Sequence, residues 1–556
     1  MSSTSSVSQF LQSLSLGTIA WILVGLYAAP KIAGGLQSLF QPLSSPLRNL
    51  PGPKKYNLLW GNLKEIFQSE GPKVQEGWIK EFGPVIRYRI AFGKHRLFTT
   101  DTRAVTHILS HAYKFPKPDQ LRNALGDILG RGLLFAEGDD HKRQRRIMNP
   151  SFGPAQIRSL TPVFLDKSQE LRDVLLKKIT ESGSAYETDV LPWLSRATLD
   201  VIGIAGFDYQ FSALSDGGEA NELAKAIGTV FSGTQEFSYF NMLRQMFPVL
   251  KIIPDNSERA KKVKQSNDTM RRIGLELVQG KKAAVIAAAG KGGAVEKSNV
   301  TSRDLLSLLI KANMASDIPD TQKMSDEEVL AQISTFLVAG HETTSSSTAW
   351  ALIELANQSE IQSKLRAELA AVSTDNLTMD ELNALPYLDA VVREALRLRA
   401  VVVGTVRNAA EDCVVPVSKP FKDANGVMRN EIRMRKGESV FLPILPLNRS
   451  NEIWGDDARV FNPERWIPSP EKSTGIPSVY SHLGTFLAGP HACIGHRFAV
   501  VEMKALLFML IRDISFELAV PFEDIEGKTS IVTRPLVKSQ KEKGHQLPMR
   551  LRAVRE

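Results

Sequence analysis

Beyond residue 60 the apolar residues recur mostly at three- and four-residue spacing, the period of amphipathic helices, with no longer period that would mark tandem repeats. Asp304–Met314 (DLLSLLIKANM) predicts one such helix. A longer one opens on Ser325-Asp326-Glu327-Glu328. Ser325 and Glu328 stand at capping-box spacing, and acidic residues in a first turn suit the helix dipole. Its apolar pattern continues through Val329–Leu355, long enough to cross a whole domain. Thr378 and Glu381 form a second capping box, ahead of a helix predicted as far as Arg399. The β-rich segments are short: Val85–Ile90, Leu97–Thr100, Thr405–Ala410 and Ser439–Ile444. Ala283–Val300, rich in Ala and Gly, reads as a flexible surface loop between helices. Its GKGG lacks the earlier glycine and the following Ser/Thr of a phosphate loop. The pattern therefore predicts a mainly α fold with small β-sheets, in one large domain over residues 51–556 that no linker divides.

The chain's first 30 residues break this pattern. They contain no Asp, Glu, Lys or Arg, and the first charge is Lys31. Phe10–Ala29 is long enough as a helix to cross one hydrocarbon core of roughly 30 Å, although Trp21 sits mid-segment and Gln12, Ser13 and Ser15 weaken its first turn. A cleaved signal peptide would need a basic leading region and an A-x-A site, and neither stands out. Residues 1–30 are expected to be an uncleaved transmembrane anchor. Lys31, Arg48, Lys54 and Lys55 follow it, so the positive-inside bias leaves the rest of the chain in the cytosol. Residues 31–50 form a proline-containing hinge with Pro42 and Pro46, continued by Pro51 and Pro53, and are expected to act as a stiff spacer. With a cytosolic body, the sequons at Asn267, Asn299, Asn357, Asn376 and Asn448 would be chance matches.

Composition sets outer bounds. Hydrophobic residues make up 43% and charged residues 23% of the 556, which excludes wholesale disorder, collagen-like repeats and a polytopic membrane protein. Sixty-nine Lys and Arg against 60 Asp and Glu give a net charge of +9. That balance suits an anionic membrane surface or an acidic partner and is weak support for nucleic acid, which is not expected. Two cysteines, Cys413 and Cys493, are too few for a disulfide scaffold or a four-cysteine zinc site.

Chemistry concentrates in three places. Inside the long helix, Ala339-Gly340-His341-Glu342-Thr343-Thr344-Ser345 interrupts the apolar run; position 345 is Ser, so the HExxH zinc pattern is incomplete. A polar kink on a solvent face is the bland reading. The apolar flanks favour burial, where a Glu-Thr pair suits proton handling. Near the C-terminus, Phe486-Leu487-Ala488-Gly489-Pro490-His491-Ala492-Cys493-Ile494-Gly495 places a cysteine between glycines just before a helix. Backbone N–H groups and the dipole's positive end stabilise a thiolate there. Cys413 has no such setting and is expected to pack in the core. Glu394 and Arg397 share a helix face, and Phe461–Trp466 (FNPERW) adds Arg465.

In this order the motifs resemble the cytochrome P450 family, and its microsomal, fungal-like members in particular. FLAGPHACIG is similar to the haem-binding loop F-x-x-G-x-R/H-x-C-x-G, AGHETT to the oxygen-activating helix motif, EALR to E-x-x-R, and NPERW to the segment after it. The resemblance implies haem b, with Cys493 as the proximal thiolate on iron. It places Thr343 and Glu342 over the distal face, Thr343 holding oxygen or its water and Glu342 helping to deliver protons. Arg145, Arg407 and His491 would meet the haem propionates, with His141 and Phe486 as further cofactor contacts. Glu394, Arg397 and Arg465 would form a buried ion network behind the haem. Three positions depart from the family's pattern: His491 where Arg is commoner, His141 where the pattern has Trp, and RAVVVGTV after Arg397 where a proline is frequent.

The resemblance further implies a monooxygenase acting on an apolar organic substrate of terpenoid, polyketide or lipid-like type. Phe336, Ala339, Val402 and Val403 are candidate pocket residues. Electrons would come from NADPH through a separate cytochrome P450 reductase, with cytochrome b5 as a further partner, because the chain has no flavin or nicotinamide module of its own. Arg497 and Lys504 are candidates for the docking face. The expected place is the endoplasmic reticulum membrane, and the expected role secondary metabolism, with detoxification as the alternative. A family member that rearranges substrate without oxygen would commonly lack the Thr at 343, and a haem sensor would have no use for the Glu342-Thr343 pair.

Overall fold

The capping box at Ser325 forms as its spacing predicts. Glu328 N–H donates to Ser325 Oγ at 3.2 Å and Ser325 N–H to Glu328 Oε2 at 2.8 Å, starting a helix over Asp326–Asn357 that is buried along most of its length. The computed structural model describes residues 42–69, 72–215, 221–233, 244, 255, 257–289, 304–315, 318–467 and 475–554. Seven helices position the site: α1 (Gly138–Met148), α2 (Pro154–Glu181), α3 (Leu191–Phe207), α4 (Glu258–Ala289), α5 (Asp326–Asn357), α6 (Pro386–Leu398) and α7 (His496–Asp513). Their apolar faces meet in one large cluster in which α5 packs against α3 and α7 against α2. A Cβ on Gly340 would lie 2.9 Å from the Ile202 side chain, so the glycine lets α5 close on α3.

All four predicted β-rich segments fall into a single sheet. β1 (Val85–Arg89) and β2 (His95–Thr99) pair antiparallel. β4 (Thr405–Asn408) and β7 (Ser439–Leu442) complete the order β1-β2-β7-β4, with β2 and β7 parallel. Seven further strands escape the periodicity. β3 (Tyr186–Asp189) pairs with β11 (Pro548–Ala553), which also pairs with β8 (Ile514–Leu518). β5 (Cys413–Lys422) pairs with β6 (Met428–Met434), and β9 (Ile525–Thr529) with β10 (Thr533–Val537).

Three expectations change. The helix predicted from Glu381 to Arg399 breaks at Leu385-Pro386: Met379–Asn383 is one short helix, and α6 begins with Pro386, which has no N–H to give to a preceding turn. Ala283–Ala289, expected as loop, is the last stretch of α4, as its alanines favour, and residues 290–303 lie outside the described residues. The end of the hinge, expected as a stiff spacer, is docked: Pro46–Asn49 forms a 3-10 turn capped by Ser45, with Leu47 fully buried beside the sheet. The expected anchor lies outside the described residues, and no helix among the described residues is long and apolar enough to cross a membrane. Cys413 opens β5, partly buried against the second apolar cluster.

Candidate active site

The Cys493 loop is held by its own backbone. Cys493 N–H donates to Phe486 O at 2.9 Å, and Gly495 caps α7. Gly489, at φ +70°, crosses so close to the preceding layer that a Cβ there would sit 2.2 Å from Leu109 O. Leu487 adopts φ 57° and ψ −167°, a region nearly reserved for glycine and costing about 1–3 kcal/mol, and its side chain packs against the Ala400–Ile444–Leu445 cluster. Phe486 is buried beneath the loop, edge-on to Tyr480. The Cys493 side chain stays accessible. Its surroundings nonetheless desolvate the thiol enough to raise its pKa, against the opposing Gly495 N–H and the Arg145 charge. Helix position alone therefore does not make the thiolate; a metal cation is the group that would.

Around this loop the structure gathers buried basic groups. Arg145 on α1 donates from Nη1 to Ala492 O at 2.5 Å and from Nε to Asn149 Oδ1 at 2.9 Å. His141, one turn earlier, lies against His491 with ring centroids 4.0 Å apart and has Nδ1 3.2 Å from Tyr113 OH. Burial pushes His141 down to about 3, and burial lowers His491 too, so both rings are neutral near pH 7. His491 Nε2 lies 3.1 Å from Glu137 Oε2, outside hydrogen-bonding geometry, and both of its ring nitrogens are buried without a hydrogen bond. Burial would raise the Glu137 carboxyl, yet His491 and Lys117 hold it at about 2. Because His491 is itself neutral, the Lys117 ammonium at 2.6 Å is the cation that matters. Arg407 on β4 is buried, donating to Thr405 Oγ1 and Val406 O.

Motif reading missed Tyr113, Lys117 and Glu137, which come from two loops, one on each side of the helix Asp119–Leu129, without a recognisable pattern. One buried cation, Arg407, and two half-buried ones, Arg145 and Lys117, gather near the Glu137 carboxylate and the loop, and two orphaned imidazole nitrogens stand beside an accessible thiol. Such a set fits an anionic, metal-bearing cofactor such as haem.

On α5, Ala339 and Thr343 are partly accessible while Val338, His341, Glu342 and Thr344 are buried; the two accessible positions are four apart and share a face. Thr343 Oγ1 donates to Ala339 O at 2.6 Å, which leaves its oxygen lone pairs available as acceptors. Glu342 points elsewhere. Oε1 lies 3.2 Å from His341 Nε2, and Oε2 is ion-paired with Arg534 on β10. Burial raises its pKa, but His341 and Arg534 overcome that and hold it at about 2. The Glu-Thr pair that stands together in sequence is thus split between two helix faces.

Glu394, Arg397 and Arg465 do converge. Both Arg397 and Glu394 are fully buried. Arg465 Nε donates to Glu394 Oε1 at 3.1 Å, and Trp466 Nε1 donates to Oε2 at 3.0 Å, a partner the motif did not announce. Arg397 Nη1 also donates to Asn448 O at 2.8 Å and Ala458 O at 2.6 Å, tying α6 to the segment before FNPERW.

Other candidates sit differently from expectation. Phe336 is buried in the helical core between Phe152 and Phe207. Val402 is exposed, and Val403 packs on the Ala400 cluster. Lys504 cannot serve a docking face: it is buried, with Nζ 2.7 Å from Asp389 and 2.8 Å from Asn383 Oδ1, because α7 is enclosed nearly all round. Arg497 is exposed. A separate cleft of about 630 Å³ opens at the start of α5, lined by Arg122, Gln144, Arg271 and Glu327, and includes neither Cys493 nor Thr343.

The family model described as Cytochrome P450 matches residues 51–540. Cytochrome P450 monooxygenase 205 of Postia placenta is 48% identical over 537 residues, covering 96% of this chain and 97% of that protein. Cytochrome P450 monooxygenase 128 of the same organism is 48% identical over 94% of this chain and 95% of its own. Cytochrome P450 monooxygenase claP of Ampulloclitocybe clavipes is 36% identical over 96% and 97%. With the thiol loop, the basic cradle and the Glu394–Arg397 network in place, the match leaves one assignment: the chain belongs to the cytochrome P450 family, among relatives named monooxygenases.

Proposed function

We propose that the protein is a membrane-anchored haem-thiolate monooxygenase that oxidises an apolar organic substrate with O2 and electrons passed from NADPH by a separate reductase, in secondary metabolism. The observation that carries this reading is the Cys493 thiol, accessible at the end of its glycine loop with the half-buried Arg145 charge beside it. When bound, the haem supplies an iron centre that reduces O2 and transfers one oxygen atom to the substrate. Cys493 would be its thiolate ligand. Arg145, Lys117 and Arg407, with His141 and His491 as neutral donors, would hold the propionates, and Phe486 would support the loop from below.

Thr343 is the polar group on the accessible face of α5. Its lone pairs can accept a hydrogen bond there while its proton rests on Ala339 O, so it orders a donor beside the reacting face. Glu342, as its ion pairs stand, is a charged acceptor and not a loaded acid. The partly accessible Thr343 hydroxyl supports the oxygen-using reading over the rearrangement one. Terpenoid, polyketide or lipid-like substrates suit Ala339 and Val402, which are small or apolar. The exposed Arg497 beside the loop suits an acidic face of the reductase or of cytochrome b5. Residues 1–30 would hold the protein in the endoplasmic reticulum membrane.

The test is a ferrous–CO spectrum of the purified protein, followed by reductase-driven turnover on a panel of apolar metabolites. A red-shifted CO band with product incorporating one atom of labelled O2 is expected. An unshifted band in undamaged protein would overturn the thiolate assignment, and oxygen-independent turnover the monooxygenase one. Deleting residues 1–30 should release the chain from membranes with haem content intact.

A further inference from the structure

His107 and His111 stand one turn apart at the end of the helix Thr102–Ser110 and so share a face. Their ring centroids are 4.4 Å apart, with the planes tilted by 33°. His111 Nδ1 lies 2.8 Å from His107 O, which can only accept, so Nδ1 carries the proton and donates. Nε2 of His111 keeps its lone pair, the tautomer a metal-binding imidazole takes. Burial lowers the pKa of His107, so this ring too is neutral near pH 7. The turn that carries both rings is pinned. Leu109, Ala112 and Phe115 are buried beneath it, and a Cβ on Gly489 would lie 2.2 Å from Leu109 O. Ala410 N–H donates to Lys114 O at 2.9 Å, and His111 N–H closes the turn on His107 O at 3.1 Å. The rings themselves face outward, His107 half-buried and His111 exposed.

We propose that His107 and His111 form a chelating site for a first-row divalent cation of tetragonal geometry, Cu2+ or Ni2+. The ring spacing selects the geometry. With about 2.0–2.1 Å from the metal to one nitrogen of each ring, a right-angle bite sets the centroids about 4.5 Å apart and a tetrahedral one about 5.2 Å. The observed 4.4 Å matches the right angle. Copper and nickel take that angle with nitrogen ligands, whereas zinc favours the tetrahedral one. No third His, Cys, Asp or Glu joins the pair among the described residues, so water completes the coordination. The neighbouring charges leave room for a cation. Lys114 is ion-paired with Glu411 at 2.8 Å, and Arg103, one turn before His107, turns to Val417 O at 3.4 Å. This chelation is independent of the monooxygenase reading.

The test is calorimetric titration of the holoprotein with Ni2+ in a buffer that does not bind metal. Wild type should take up one Ni2+ more tightly than a single imidazole does, because the second bond closes within the molecule. His107→Ala and His111→Ala should each weaken that event by roughly tenfold or more, since either one ends the chelation. Two independent histidines would instead lose half of the bound metal in each variant with the affinity unchanged, and that outcome overturns the site. So would wild-type affinity retained in either variant, which would place the metal elsewhere, or wild-type binding no tighter than that of the variants. Zn2+ in place of Ni2+ should bind more weakly; a pair that held Zn2+ the more tightly would overturn the tetragonal assignment. Circular dichroism, expected unchanged, checks that each variant is folded. If His107→Ala does not accumulate, His111→Ala, at an exposed side chain, carries the comparison by the same criteria.

Discussion

Arg397 meets Glu394 side-on, Nε to Oε2 and Nη2 to Oε1, each at 2.8 Å, with neither side chain exposed. Burying both charges is costly, and the pair persists because each has further partners: backbone carbonyls on the arginine, Arg465, Trp466 and Asn462 N–H on the glutamate.

Arg397→Ala should lose about 3–5 kcal/mol, since Glu394 remains buried without its main counter-ion. Arg397→Lys should fail almost as badly, because an ammonium cannot span both carboxylate oxygens and the carbonyls of Asn448 and Ala458. Thermal unfolding and haem content per chain check this; a mutant that accumulates with full haem would show the pair to be dispensable.

Cys493→Ser removes the sulfur while keeping the loop, whose Cys493 N–H to Phe486 O bond is backbone only. The ferrous–CO band should move to the unshifted position, with near-native helix content by circular dichroism. Retention of the red-shifted band would place the ligand elsewhere.

Thr343→Ala loses the Oγ1 bond to Ala339 O but gains helix propensity, so folding should survive. Product per NADPH oxidised should fall at least several-fold, with hydrogen peroxide or water rising to balance the electrons. Unchanged coupling at equal haem would take Thr343 out of oxygen chemistry.

Glu328 predicts an acid-sensitive step. Burial would raise its carboxyl, but Arg143, Ser325 N–H and Gln144 lower it from 4.5 to about 2. A depressed carboxyl binds protons more readily when unfolded, so its stabilisation is complete above pH 4.5 and is lost as pH falls towards 2. In Glu328→Gln, unfolding temperature measured against pH should drop less steeply across that window than in wild type. Parallel curves would mean that Glu328 contributes nothing to acid sensitivity.

What the sequence determined by itself was local. The Ser325–Glu328 and Thr378–Glu381 boxes, the long helix and the four segments of the main sheet are written in neighbouring residues, whose backbone bonds and periodicity need no distant partner. The thiol loop and E-x-x-R are likewise readable, because their parts lie within a few residues of each other. Tertiary structure decided the partners. Arg534 pairs with Glu342 and Lys504 with Asp389 across elements far apart in the chain, and Lys117 with Glu137 across the helix between their loops. Lys504 shows why the difference arises. Its spacing on α7 is that of a surface helix, but α7 is enclosed by other helices, and a buried lysine is tolerable only where a carboxylate reaches it. Charge is visible in sequence; burial, which sets what the charge does, exists only after the chain has packed.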